Sequence, residues 1–188
     1  TIGGFGIDFP FLCNGANLAY KKEEFLILNG FEGNTNIASG DDIFLFQKFI
    51  KADKKSVQYL KSKEVIVTTF PVKTNSDLIN QRIRWATKTT SYDSWLVKCI
   101  GIIVFLTNLS VILSIFLSDN LTLIFLPFLL KLIIDLFLFI PTAGFFNHQK
   151  SFFKWYLFGS IMYPVFSVFI VLKSVFFRYN WKGRRFKK

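Results

Sequence analysis

The stretch CIGIIVFLTNLSVILSIFLS, residues 99–118, contains 20 consecutive residues without a charged side chain. About 20 apolar residues are enough for an α-helix to cross the hydrocarbon core of a bilayer. Two further apolar stretches follow at 120–146 and 155–177. Aromatic side chains of the kind that prefer the membrane–water interface lie near the ends of these stretches: Trp95, Trp155, Tyr156, Tyr179 and Trp181. Residues 97–177 are therefore predicted to form an α-helical membrane domain of two to three hydrophobic segments.

The third apolar stretch has two alternative arrangements, which the sequence leaves open. If residues 1–96 are cytoplasmic, the first two segments form a hairpin and the loop with Lys150 and Lys154 lies on the cytoplasmic side. Positive charges prefer that side of a membrane. A third complete span would place the basic tail, residues 178–188, on the opposite side. Either the third segment bends or re-enters at Pro164, or the tail is an exception to the rule.

Charge is distributed unevenly along the chain. Residues 1–96 hold 12 basic and 10 acidic side chains, whereas residues 97–188 hold 11 basic and 2 acidic ones. The chain is 52% hydrophobic, which excludes a disordered protein and argues against an ordinary soluble domain. We therefore expect a soluble module, residues 1–96, before the membrane domain. The basic juxtamembrane tail, residues 178–188, is expected to contact anionic membrane lipids, and no nucleic-acid partner is expected.

The soluble module contains patterns for both strands and helices. Apolar or β-branched runs predict strands at 9–12, 57–60 and 65–70. One short helix is predicted at 21–28, because Asn29-Gly30 is a typical signal for a helix end. Two further helices are predicted from Ser39-Gly40-Asp41-Asp42 to about residue 52, and from residue 74 through residue 85.

The acidic pair Asp41-Asp42 stands at the start of a predicted helix and has two interpretations. In the first, it belongs to a helix cap, since Ser39 is able to cap and acidic side chains favour a helix N-terminus. In the second, one carboxylate accepts a proton from an attacking hydroxyl group. General-base catalysis requires a carboxylate within hydrogen-bond reach of that proton. The local sequence alone favours capping.

Gln81, Arg84 and Trp85 are spaced i, i+3 and i+4, so they line one face of a helix. An indole stacks on a pyranose ring, a guanidinium binds two phosphate oxygens at once, and an amide hydrogen-bonds hydroxyl groups. This face therefore suits a sugar and a diphosphate. The alternative is an interfacial amphipathic helix, with tryptophans at lipid headgroups and with Arg82 and Lys88 on lipid phosphates.

Lys131 and Asp135 are four residues apart inside the second apolar stretch, so they share a helix face. Charges at membrane depth are costly and often mark a functional site. The alternatives are a mutually neutralising structural pair that faces neighbouring helices and a direct role with a substrate. The structural pair is the favoured interpretation.

Four segments, taken in order, carry a resemblance to a known family. They are NGANLAYKK at 14–22, NGF at 29–31, GDDIFL at 40–45 and QRIRW at 81–85. Together they resemble the family 2 glycosyltransferases, in particular the membrane-anchored branch that includes the cellulose, chitin and hyaluronan synthases. The segment WKGR at 181–184 is also similar to the tail of bacterial members. The resemblance covers nearly the whole chain.

The resemblance implies roles for several side chains. It implies that Asp42 is the general base of an inverting displacement, with Asp41 in place of the usual Glu as a supporting acid. Gln81, Arg84 and Trp85 match the motif that holds the acceptor sugar and the donor diphosphate. The positions that match the loop at the acceptor end of the site are Cys13, Asn14, Gly15 and Asn17.

The resemblance also implies a fold and a cofactor. Residues 1–96 would be α/β, as the C-terminal part of a GT-A glycosyltransferase domain. A divalent metal, Mg²⁺ or Mn²⁺, would sit on the donor diphosphate, held by an Asp-x-Asp motif that does not occur in these 188 residues. We therefore expect a C-terminal fragment that is inactive alone, with its metal site upstream of Thr1. No metal site is expected within the fragment.

The sequence-based hypothesis is an inverting glycosyltransferase that moves a sugar from a nucleotide-sugar to a glycan or lipid-linked acceptor. Its expected location is a bacterial inner membrane, with the catalytic part cytoplasmic. Three membrane segments are few for a translocation channel, which favours single over processive addition. One alternative is a polyprenyl-phosphate glycosyltransferase. Another is a non-enzymatic transporter or scaffold, which the charges inside the membrane segments would suit.

Overall fold

The computed structural model describes residues 1–33, 40–89, 94–177, 179–181 and 184–186. The chain divides into two compact units. The first, which we call the N-terminal unit, comprises residues 1–73 and the C-terminal segment Trp181–Phe186. The second, which we call the membrane unit, comprises the described residues within 74–180. The Gln81–Trp85 motif lies in the membrane unit.

The N-terminal unit is built from short helices. The helices α1, α2 and α3 span Ile2–Gly6, Lys22–Ile27 and Asp41–Ala52, and 3₁₀ turns occupy Gly15–Asn17 and Lys54–Ser56. The predicted helices at 21–28 and up to residue 52 are confirmed. The first of them ends as expected, because Asn29 and Gly30 both adopt a left-handed backbone, with φ of 54° and 43°.

The helix α3 supplies the centre of the N-terminal unit. Leu45 and Phe46 are its most buried apolar side chains, with exposures of 1% and 4%. The ring of Phe5 packs against Phe46 at 6.1 Å and against Tyr59 at 5.3 Å between centroids. Burial of this apolar face fixes α3 within the unit, and it thereby fixes the position of the acidic first turn of the helix.

Lys48 connects α3 to the segment that follows α2 through hydrogen bonds. Its Nζ donates hydrogen bonds to the carbonyl oxygens of Gly30 at 2.8 Å and Glu32 at 2.7 Å. The carbonyls of Leu28 and Asn29 lie at the longer distance of 3.4 Å. Carbonyls at the end of a helix have no partner within the helix, and a cation there also complements the helix dipole.

We expect Lys48→Met to lower the free energy of unfolding by about 1 kcal/mol, because two carbonyls lose a charged donor that is only partly exposed. Methionine has a helix propensity similar to that of lysine, so α3 itself is little affected. Chemical unfolding in detergent measures the change. The control is Lys51→Met on the same helix, where the side chain is exposed. Equal stability of the two variants would contradict the role given to Lys48.

The expected α/β fold is wrong for the described part of the chain, which is predominantly helical. The only sheet found there has two strands, Tyr179–Trp181 and Arg184–Phe186. The runs 9–12, 57–60 and 65–70 are not helical, but none of them joins a sheet. Branched and aromatic side chains favour an extended backbone, yet a strand is completed only by hydrogen bonds to a neighbouring strand. At Val65 the carbonyl accepts from the Asn17 side chain instead, at 2.8 Å.

Four helices lie in the part of the membrane unit that the structure describes. They are α4, Asn75–Thr89; α5, Trp95–Leu117; α6, Leu121–Phe145; and α7, Gln149–Phe176. The helices α5, α6 and α7 have 23, 25 and 28 residues and are long and apolar enough to cross a membrane. Large apolar side chains cover their exposed surfaces. The prediction of a membrane protein with apolar spanning helices is therefore confirmed.

The helix α7 continues without interruption through Pro164. Proline removes one backbone hydrogen bond, and membrane helices tolerate this where neighbouring groups compensate. Pro164 is fully buried, so packing surrounds the site of the missing bond. No break occurs at the point where a bent or re-entrant segment was considered. The helix also begins earlier than predicted, so that Lys150 and Lys154 lie on its first turns.

The two opposite charges within α6 neutralise each other. Lys131 and Asp135 form an ion pair one turn apart, and Lys131 is only 7% exposed. The ammonium also lies 5.3 Å from the centroid of the Tyr163 ring on α7. About two turns before Tyr163 on α7, the Tyr156 hydroxyl donates to the Leu132 carbonyl at 2.7 Å. These contacts tie α6 to α7 and agree with the favoured interpretation, a neutralising structural pair.

Candidate active site

The acidic pair occupies the first turn of α3, as the sequence predicts. Gly40 is the N-cap residue and has a left-handed φ of 110°, a conformation that favours glycine. Among the described residues, no side chain caps this helix, and Ser39 lies outside them. Asp41 is exposed, whereas Asp42 is partly buried. The two adjacent carboxylates therefore have different surroundings, and Asp42 contacts another segment of the unit.

The loop around Cys13 meets Asp42 directly. The Gly15 amide donates to Asp42 Oδ2 at 3.0 Å, and the Ile43 amide donates to Oδ1 at 2.9 Å. The Cys13 thiol donates to the main-chain oxygen of Asp42 at 3.3 Å. Two segments that carry the family resemblance, 27 residues apart, are therefore joined at the carboxylate. Amides at both oxygens orient the carboxylate.

The two asparagines of the loop hold its shape. Asn14 caps the 3₁₀ turn, because its Oδ1 accepts from the Ala16 amide at 3.1 Å. The Asn17 side chain donates to the Val65 carbonyl at 2.8 Å. Both residues are exposed, so a ligand is able to reach them. Their present contacts are structural, and they keep the Gly15 amide directed at Asp42.

The Cys13 thiol is not an activated nucleophile. Burial, and to a smaller extent the negative charge of Asp42, raises the pKa of the Cys13 thiol to about 12. At neutral pH the group is therefore a neutral thiol that donates a hydrogen bond. It is suited to holding the loop against α3 and does not suit covalent catalysis.

We expect Cys13 to react with iodoacetamide about 50-fold more slowly at pH 8 than an ordinary thiol. A pKa near 12 instead of about 8.5 leaves far less thiolate, and the greater nucleophilicity of a more basic thiolate offsets only part of this loss. The rate should keep rising through pH 10, where an ordinary thiol has levelled off. Mass spectrometry of a Cys99→Ser variant measures the rate, with detergent-denatured protein as the control. A plateau near pH 9 in the folded protein would contradict the assignment.

The second group of predicted site residues, Gln81, Arg84 and Trp85, lies on α4. The helix begins with a cap in which the Thr74 hydroxyl accepts from the Asp77 amide at 3.1 Å. It is helical throughout the motif, so the spacing used for Gln81, Arg84 and Trp85 holds. Trp85 is 45% exposed, and Gln81 and Arg84 are partly buried.

Two other side chains of α4 are packed into the membrane unit. Ile83, on the side opposite the motif, is 2% exposed. Lys88 follows Arg84 by four residues and therefore lies on the same face as the motif, and it is 7% exposed. Lys88 is therefore enclosed by the unit and does not contact lipid phosphates. The interfacial alternative required such a contact. The Arg82 guanidinium lies 4.6 Å from the centroid of the Trp85 ring. This cation–π contact holds the indole at the surface of the helix.

The structure brings together two sets of predicted site residues, each in its own unit. Cys13, Gly15 and Asp42 meet in the N-terminal unit, and the Gln81–Trp85 set lies on α4 of the membrane unit. Sequence reasoning placed Gly15 in the loop but did not find its bond to Asp42. A glycine between two asparagines suggests a tight turn, but it gives no sign of the partner.

The residues described here do not fit the divalent metal that the resemblance implies. Among them, no group of three or more His, Cys, Asp or Glu side chains could hold a metal ion. The metal therefore stays a prediction for residues other than these.

The chain was compared with known proteins, and no protein-family model, no curated protein and no solved structure matches it. Any assignment of function therefore rests on the sequence motifs and on the contacts of the two sites.

Proposed function

We propose that this protein transfers a sugar from a nucleotide-sugar to a hydroxyl group of a glycan or lipid-linked acceptor at the cytoplasmic face of a bacterial inner membrane. The observation that carries the proposal is the contact between the Cys13–Gly15 loop and Asp42. Two segments that resemble motifs of the family 2 glycosyltransferases contact each other at one carboxylate, through residues 27 positions apart. Helix capping alone would not require a second segment at that carboxylate.

The reaction is a single displacement at the anomeric carbon. The acceptor oxygen forms a bond to that carbon, and the bond to the diphosphate oxygen breaks, so that a nucleoside diphosphate leaves. The proton of the acceptor hydroxyl passes to the carboxylate of Asp42. The configuration at the anomeric carbon is inverted, because the acceptor attacks from the side opposite the leaving group. Asp41, exposed on the same turn, acts as the supporting acid of the pair.

The α4 face supplies the binding groups. Arg84 is proposed to bind the donor diphosphate with the two-pronged geometry of a guanidinium. The exposed indole of Trp85 offers a flat apolar surface for the acceptor sugar, and the Gln81 amide offers a donor and an acceptor to its hydroxyl groups. The packing of α4 against α7 supports an acceptor located at the membrane.

The proposal is tested with membranes from cells that express the complete reading frame. The membranes are incubated with radiolabelled uridine, guanosine and thymidine diphosphate sugars, one at a time. We expect label from one donor to enter a lipid or glycan fraction, and membranes without the protein should show none. Failure of the purified protein both to bind and to consume any of these donors would contradict the proposal.

The same assay separates the two acceptor classes. A sugar attached through a phosphate to a polyprenyl carrier is released by mild acid, whereas a glycosidic bond to a hydroxyl group survives. We expect mild acid to leave the labelled sugar glycosidically attached to a larger glycan or lipid. Release of all label as the free monosaccharide would replace the proposed acceptor with a polyprenyl phosphate.

A further inference from the structure

Two hydrogen bonds of unequal importance hold the carboxylate of Asp42. Oδ1 accepts from the amide of Ile43, the next residue in the chain, at 2.9 Å. Oδ2 accepts from the amide of Gly15 at 3.0 Å. The Ile43 contact arises within the first turn of α3 and does not relate the carboxylate to any other segment. The Gly15 contact comes from a distant loop and therefore sets the direction in which the carboxylate points.

Gly15 leaves no room for a side chain. A Cβ atom at this position would lie 2.8 Å from Asp42 Oδ2 and 3.2 Å from both Cβ and Cγ of Asp42. Among the described residues, the positive-φ glycines are Gly30, Gly33 and Gly40, and Gly15 is not one of them. Its backbone would thus accept alanine, and the three atoms nearest to an added Cβ all belong to Asp42. A side chain at position 15 and the observed position of Asp42 exclude each other.

We propose that Gly15 is the positioning residue of the catalytic base. Its amide donates a hydrogen bond to Asp42 Oδ2, and because glycine has no side chain, the carboxylate is able to pack against the loop. This inference rests on the proposed function, in which Asp42 accepts the proton of the acceptor hydroxyl. Each carboxylate oxygen keeps a second lone pair after accepting one amide. The Gly15 bond decides where those lone pairs point, and hence which hydroxyl group they reach.

The thiol of Cys13 supports this role from the same loop. It donates to the main-chain oxygen of Asp42 at 3.3 Å, so that loop and residue are joined at both the main chain and the side chain. A loop attached at two points cannot slide along α3 without breaking one contact. The position of the Gly15 amide relative to Oδ2 is therefore well defined.

The kinetic test compares Gly15→Ala with Gly6→Ala. We expect Gly15→Ala to lower kcat by about 100-fold, because misplacing a reacting group by about 1 Å has an effect of this size. The KM for the acceptor should change by less than about 3-fold, since a positioning residue acts on the chemical step. Gly6→Ala is the matched control, because a Cβ there meets nothing within 4 Å. An increase in KM with unchanged kcat would overturn the proposal and make Gly15 a part of the acceptor subsite.

A second measurement tests the contact without any activity. Protein labelled with ¹⁵N-glycine contains 11 glycines, whose amides are resolved by NMR in detergent. In Asp42→Asn the Gly15 amide proton should move upfield, because a bond to a carboxylate becomes a weaker bond to a neutral amide. The Gly6 amide should not move. An unchanged Gly15 amide would overturn the proposal, even if the transfer assay failed or Gly15→Ala did not fold.

Discussion

Replacement of Asp42 by Asn is expected to lower kcat by about 1,000-fold or more, because removal of a general base typically has an effect of 10²–10⁴. The fold should survive, since the Asn side-chain oxygen still accepts one of the two amide hydrogen bonds. Sugar transfer in membranes measures kcat, and thermal unfolding of the purified variant in detergent measures folding. The effect is specific to the carboxylate that the Gly15 loop contacts.

Asp8→Asn is the matched control for this experiment. Asp8 is fully exposed apart from an ion pair with Lys54, and its φ of 53° is tolerated by asparagine. The same change of charge should leave transfer within 2-fold of wild type, which is a small effect on this scale. Wild-type turnover by Asp42→Asn, with a folded protein, would refute the assignment of Asp42 as the base.

Lys131→Leu is expected to destabilise the protein by about 3 kcal/mol, which is the second large effect predicted here. The substitution leaves Asp135 without its cation inside a helix long and apolar enough to span the membrane. It also removes the contact of the ammonium with the Tyr163 ring. Thermal unfolding in one detergent, compared with wild type, measures the loss.

The double variant Lys131→Leu/Asp135→Leu should recover most of this loss, because replacing both partners of a buried pair leaves no uncompensated charge. The control is Lys154→Leu, where the side chain is exposed and a change within 0.5 kcal/mol is typical. If the double variant were less stable than Lys131→Leu, the pair would have a role other than mutual neutralisation. A functional role would then show as lost transfer in a stable protein.

The membrane unit was predictable from composition because few physical solutions exist for a long apolar run. A chain with 20 uncharged residues at 99–118 has to satisfy its backbone groups internally, and a helix does so. The observed helix Trp95–Leu117 agrees with this argument. Helix ends depend on weaker local effects, so the start of α7 at Gln149 was placed too late in the prediction.

The strands were not predictable because strand formation depends on a partner. The run at 65–70 has the branched side chains of a strand, but its first carbonyl is bound by the Asn17 side chain. Local preference describes a backbone conformation, whereas a sheet requires two segments to meet. The same limit applies to the site. Asp42 could be located at a helix start from local signals, but its contact with Gly15 lies 27 residues away.

The most direct test of the proposed reaction is the anomeric configuration of the product. Proton NMR of the first product formed from an α-linked nucleotide-sugar reports this configuration from the coupling of the anomeric proton. We predict a β-linked product, because a single displacement assisted by one base, Asp42, inverts the anomeric carbon. An α-linked product would mean retention of configuration, and it would contradict both the displacement and the role of Asp42.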